Sequence, residues 1–86
     1  MKDVEIFTGP RCGYCSAAKS LLQQLGMAYT ERDVRDPDVL NEMRERLPRA
    51  RTIPQIFIDG NHVGGSNELH DLERRGELDR LLGFQS

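Results

Sequence analysis

The stretch Val4-Glu5-Ile6-Phe7-Thr8-Gly9-Pro10-Arg11-Cys12-Gly13-Tyr14-Cys15 decides how this chain is read. Val4 to Thr8 is a short β-prone run, and Gly9-Pro10 ends it. From Ser16 onward Ala17, Ala18, Leu21, Leu22 and Leu25 recur at the spacing of one helix face, with Gly26 placed to close it. Ala28-Tyr29-Thr30-Glu31-Arg32-Asp33-Val34 then reads as a second strand. Strand, helix and strand in about thirty residues make a βαβ unit, with parallel strands and a right-handed crossover. The cysteines fall at its strand-to-helix turn, where open α/β sheets carry their reactive groups.

Outward from this unit, Asp36-Pro37-Asp38 starts a helix, with Asp36 as N-cap and Pro37 at the first helical position. Val39, Leu40, Met43 and Leu47 supply its apolar face, and Pro48 stops it. Thr52-Ile53-Pro54 leads into the strand Gln55-Ile56-Phe57-Ile58. Asp59-Gly60 is a hairpin signal that returns Asn61-His62-Val63 antiparallel before Gly64-Gly65. Ser66 or Asn67 caps a helix running through Leu69 and Leu72 to Gly76, and a short helical segment carries Leu78, Leu81 and Leu82. The order predicts an α/β fold, one four-stranded mixed sheet with helices on both faces. No repeat, linker or low-complexity tract divides the chain, so residues 1–86 are expected to form a single domain.

Charged residues make up 30% of the chain and hydrophobic ones 37%, a globular rather than a disordered balance. Apolar runs such as Ile56-Phe57-Ile58 are far too short for a transmembrane helix. The opening Met1-Lys2-Asp3-Val4-Glu5 has no apolar h-region, so a cytoplasmic location is expected. A net charge of −2 argues against nucleic-acid and membrane-surface partners, because the summed field repels polyanions. Arg44, Arg46, Arg49 and Arg51 cluster nonetheless, and by themselves they read as a solvated helix end and loop.

Cys12 and Cys15 are the chain's two cysteines, and a bridge closing so small a loop constrains the unfolded chain little. Chemistry is the better use. At a helix start Cys12 lies beside unpaired N–H groups and the positive end of the helix dipole, both of which stabilise a thiolate. As attacker such a thiol gains little, because nucleophilicity falls as the thiolate fraction rises; as a leaving group it improves, which favours exchange with small thiols. Half a zinc site is the rival reading. It lacks partners at zinc-ligand spacing, since His62 and His70 have seven residues between them.

Two further segments gain meaning from this pair. If the Ile53–Pro54 bond is cis, a question the sequence leaves open, the Ile53 backbone faces outward beside Cys12 and an extended peptide can pair with it. Gly64-Gly65-Ser66-Asn67-Glu68 is a loop and helix cap whose N–H groups also suit a carboxylate.

Val4-Glu5-Ile6-Phe7-Thr8, the Cys12-Gly13-Tyr14-Cys15 turn, Thr52-Ile53-Pro54-Gln55-Ile56-Phe57-Ile58-Asp59 and Gly64-Gly65-Ser66 before a helix together resemble a glutaredoxin. The likeness spans essentially the whole chain and is greatest to the bacterial glutaredoxin 3 group of dithiol enzymes. It implies a thioredoxin fold, a cis proline and glutathione as reductant and ligand, with no bound cofactor. Cys12 would be the nucleophile and Cys15 the resolving thiol, the two forming the redox-active disulfide. Tyr14, Thr52, Ile53, Pro54, Gly65, Ser66 and Asn67 would contact glutathione, the last two at its γ-glutamyl carboxylate.

The chain departs from the family pattern at three places. Gly13 stands where a proline is common. Gly9 stands where a lysine is frequent, which leaves Arg11, or one of Arg44, Arg46, Arg49 and Arg51, for the glycyl carboxylate. Asn67-Glu68 replaces an acidic pair, so Glu68 would meet the ammonium end.

The resemblance implies a monomeric glutathione-dependent thiol–disulfide oxidoreductase acting in cell redox homeostasis. Its substrates would be protein and low-molecular-weight disulfides and glutathione mixed disulfides. A separate NADPH-dependent reductase would regenerate the glutathione. Two alternatives remain open at this point. One is a dimer holding a [2Fe-2S] cluster through Cys12 and glutathione. The other is a protein electron donor reduced by a thioredoxin-type reductase.

Overall fold

The computed structural model describes residues 3–83; Met1 and Lys2 of the opening segment, and residues 84–86 of the expected domain, lie outside them. Eight elements follow in order: β1 (Val4–Thr8), α1 (Gly13–Gln24), β2 (Thr30–Asp33), α2 (Pro37–Arg46), β3 (Gln55–Ile58), β4 (Asn61–Gly64), α3 (Ser66–Arg74) and α4 (Leu78–Leu82). The strands form one sheet in the order β2-β1-β3-β4. β1 and β2 are parallel, as a βαβ unit requires, and β3 runs antiparallel to both β1 and β4.

Side-chain alternation divides the interior in two. Val4 and Ile6 of β1 and Ile56 and Ile58 of β3 point to one face, where Ala18, Leu21 and Leu22 of α1, Leu69 of α3, and Leu78 and Leu82 of α4 cover them. Phe7 and Phe57 point to the other face and meet Met43 of α2. Helices thus lie on both faces of a mixed four-stranded sheet, the thioredoxin fold.

The second face is the thinner one. Met43 is the fully buried residue of α2, and charged side chains finish the cover. Glu5 of β1 accepts from Arg32 of β2 at 2.6 Å and from Arg46 of α2 at 2.7 Å, while Glu42 accepts from both arginines. The Arg46 guanidinium lies 3.9 Å over the Phe57 ring and 5.5 Å from that of Phe7.

Local chemistry sets several element ends. Asp36 caps α2 through Asp38 N–H, with Pro37 following, as its sequence predicts. Gly26, at φ +69°, closes α1, and Met27 N–H bonds back to the Leu22 carbonyl. Several ends differ from the sequence reading. α1 begins at Gly13, before its apolar periodicity starts, because the Cys12 sulfur caps it. β2 begins at Thr30, since its ladder pairs Thr30–Asp33 with Glu5–Thr8. Gly65, rather than Ser66 or Asn67, is the N-cap of α3, because the Glu68 carboxylate folds back onto the Gly65 N–H at 2.6 Å.

Candidate active site

Three connections meet at one end of the sheet: the turn from β1 to α1, the loop entering β3, and the turn from β4 to α3. The first carries the cysteines. Cys12 is the N-cap of α1, with extended backbone, and its sulfur accepts the Cys15 N–H at 3.1 Å. Cys15 lies one turn further on, at the spacing that continues to Ala18 and Leu22, and is 2% exposed. Cys12 is only partly covered. The two are joined as a disulfide, their Cα atoms 5.2 Å apart. No acidic residue stands in the first turn of α1. A negative charge developing on Cys12 therefore meets a backbone donor and the helix dipole without an opposing carboxylate in that turn.

The Ile53–Pro54 peptide bond, left open by the sequence, is cis. It presents the Ile53 carbonyl oxygen 3.7 Å from the Cys12 sulfur. Thr52 before it is exposed, and Pro54 is buried against the sheet.

From the third connection Gly65, Ser66, Asn67 and Glu68 face Tyr14, Thr52, Ile53 and Pro54 across a cleft of about 340 Å³. Tyr14 forms a 64% exposed aromatic wall beside the cysteines. The first amides of α3 have no partner within the helix and suit an anion. Ser66 is buried, and its Oγ turns to His70 Nδ1 at 3.3 Å. Glu68 lines the same cleft and caps Gly65 through its Oε1.

The arginines separate. Arg46 is committed to Glu5, Glu42 and the Phe57 ring, so it is removed from the candidates for a ligand carboxylate. Arg44 and Arg51 border a hollow at Thr52 and Ile53, whereas Arg49 lines a groove toward His62 that shares Thr52, Gly65 and Glu68 with the cleft. Arg11, exposed at φ +54°, precedes Cys12 directly.

Among the described residues no group of three or more His, Cys, Asp and Glu side chains converges, and His62 and His70 are hydrogen-bonded to Gln55 and Ser66 instead.

Two residues here escaped the sequence reading. Gln55, buried at the start of β3, donates to the Thr52 carbonyl, and His62 of β4 donates to Gln55. The available signal was a glutamine heading an otherwise apolar buried strand.

A partly exposed thiol at a helix start, bridged to a buried one beside a cis-proline loop, defines a thiol–disulfide oxidoreductase on a thioredoxin fold. The glutaredoxin family profile matches residues 4–63. The chain is 40% identical over 82 residues to glutaredoxin 3 of Escherichia coli strain K12, covering 95% of this chain and 99% of that one. The solution structure of a glutaredoxin from Brucella melitensis superposes with a TM-score of 0.82 at 47% identity, over 98% of this chain and 91% of that one. The crystal structure of a buckwheat glutaredoxin–glutathione complex superposes with a TM-score of 0.83 at 30% identity, over 95% of this chain and 77% of that one. The chain belongs to the glutaredoxin family, and its activity is glutathione-dependent thiol–disulfide exchange.

Proposed function

We propose that Cys12 is the attacking thiolate and that glutathione occupies the cleft between the Ile53 backbone and the start of α3. The observation that carries this reading is the cleft between Tyr14, Ile53 and Pro54 on one side and the start of α3 on the other, with the capped, partly exposed Cys12 sulfur 3.7 Å from the Ile53 carbonyl oxygen. In the first step the Cys12 thiolate attacks the glutathione sulfur of a mixed disulfide. A Cys12–glutathione disulfide forms and the substrate leaves as its thiolate. A second glutathione then attacks the bound glutathione sulfur, which gives glutathione disulfide and returns the Cys12 thiolate. With a protein or low-molecular-weight disulfide, Cys15 resolves the Cys12 mixed disulfide and is left bridged to Cys12.

Within the cleft the cysteinyl part of glutathione pairs with the Ile53 backbone, held by Pro54, between Thr52 and Tyr14. The γ-glutamyl carboxylate meets the Gly65, Ser66 and Asn67 segment. The glycyl carboxylate falls to Arg11, Arg44, Arg49 or Arg51, since Gly9 supplies no charge and Arg46 is engaged elsewhere. The buckwheat relative, described as a glutathione complex, supports this placement by likeness.

The proposed setting is a monomer of one domain, residues 1–86, in the cytoplasm. There a reduced glutathione pool and its NADPH-dependent reductase sustain turnover, and glutathionylated or disulfide-bonded proteins are the substrates. No described helix is long and apolar enough to cross a membrane.

Paired serine variants test the roles. Cys12→Ser abolishes turnover, while Cys15→Ser still reduces glutathione mixed disulfides, a reaction that needs one protein thiol. Equal loss in both variants contradicts the assignment.

A further inference from the structure

The loop beside Cys12 is held from behind. The Gln55 side-chain amide donates from Nε2 to the Thr52 carbonyl oxygen at 3.0 Å and to Thr52 Oγ1 at 3.3 Å. A carbonyl oxygen only accepts, so the amide nitrogen faces Thr52 and Oε1 faces away from it. His62 Nε2 lies 2.8 Å from that Oε1. An amide oxygen also only accepts, so His62 donates from Nε2, a proton it holds in one neutral tautomer and in the charged form.

Strand geometry makes the chain of bonds possible. Gln55 and Phe57 share one face of β3, two residues apart, and His62 of β4 stands opposite Phe57 in the ladder. Its ring lies over the Phe57 ring with centroids 5.1 Å apart and reaches along the face to Gln55. The β3–β4 register shifts at Ile56/Phe57, which sets this pairing.

We infer that Gln55 and His62 are positioning residues for substrate, a relay that fixes the Thr52 carbonyl and so the direction of the Ile53 backbone beside Cys12. This rests on the proposed pairing of glutathione with Ile53. Neither residue lines the cleft that holds Cys12's partners. Gln55 is 7% exposed, so an unpaired amide there is costly and the bonded arrangement is strongly preferred. The relay serves substrates that pair a peptide backbone with Ile53 and is indifferent to disulfides that have none.

The test compares two reactions of the full chain. One is steady-state reduction of a glutathionylated peptide. The other is the reaction of the reduced protein with a dipyridyl disulfide, which reads Cys12 alone. Gln55→Met keeps the bulk and removes the donor; His62→Phe keeps the ring on Phe57 and removes the Nε2 proton. Gln55→Met should raise KM for the peptide roughly three- to tenfold, the scale of one hydrogen bond, with kcat and the dipyridyl disulfide rate within about twofold of the parent. His62→Phe should raise KM by about twofold or more, and the double variant no further than Gln55→Met.

A KM within error of the parent in folded Gln55→Met overturns the relay, as does equal loss in both reactions. If Gln55→Met fails to fold, His62→Phe decides: a raised KM supports the relay and an unchanged one overturns it. Failure of the glutathione reading shows separately, as a parent protein that does not saturate with the glutathionylated peptide.

Discussion

A β-carbon at Gly13 would meet no atom within 4 Å, and the residue is the first of α1, where the missing N–H of proline costs nothing. Cys12 before it has φ −112° and ψ 100°, a conformation that a following proline favours. Gly13→Pro should therefore stabilise the protein by about 0.4–1 kcal/mol, measured as a raised Tm, chiefly by restricting the unfolded chain. Gly9 is the opposite case. A β-carbon there would stand 2.6 Å from Ile53 Cδ1, so this glycine makes room for the isoleucine that lies beside Cys12. Gly9→Ala should cost on the order of 1 kcal/mol by overpacking, and adding Ile53→Val should recover much of it in a double-mutant cycle followed by urea unfolding. The redox-active cysteine pair was legible at this scale because spacing, helix start and lack of other cysteines all bear on Cys12 and Cys15. The Gln55–His62 bond was not, because it depends on a register shift between two strands that carries no local sequence mark.

Among the elements, α2 holds its place by means that periodicity does not capture. Val39, Leu40 and Leu47, read as its apolar face, are only half-buried, and the Arg46 stem and guanidinium cover Phe57. Arg46→Ala should lower stability by about 1–2 kcal/mol through lost ring contact and packing, read by denaturant unfolding. Acid should loosen the β2 edge of the sheet. The Thr8 hydroxyl and then Lys19 hold the Glu31 carboxyl below its ordinary value of 4.5, and Arg32 followed by Arg46 does the same for Glu42. A carboxyl depressed on folding stabilises the fold above its ordinary value and gives that up as pH falls toward the folded one. The urea midpoint should hold from pH 7 to about 5 and decline below, less steeply in Glu31→Gln. Strands and helices were legible from alternation, helical spacing and the Asp36-Pro37 start. Their ends were not where a side chain from outside the pattern, Cys12 or Glu68, supplied the cap.

The whole molecule assembles its site from segments far apart in sequence, the turn at Cys12, the loop at Ile53 and the turn at Gly65. The antiparallel β1–β3 pair and the antiparallel β3–β4 hairpin bring these to one end of the sheet. The parallel β1–β2 pair and the β3–β4 hairpin followed from the βαβ spacing and the Asp59-Gly60 turn. The cis state of Ile53–Pro54 and the separation of the arginines appear only once the chain is folded. The most direct measurement of the central claim is turnover of a small glutathione mixed disulfide, coupled to NADPH oxidation, with glutathione present and then omitted. The account predicts turnover that rises with glutathione, vanishes without it, and is not restored by a thioredoxin-type reductase. Sustained turnover without glutathione when that reductase is supplied would contradict it.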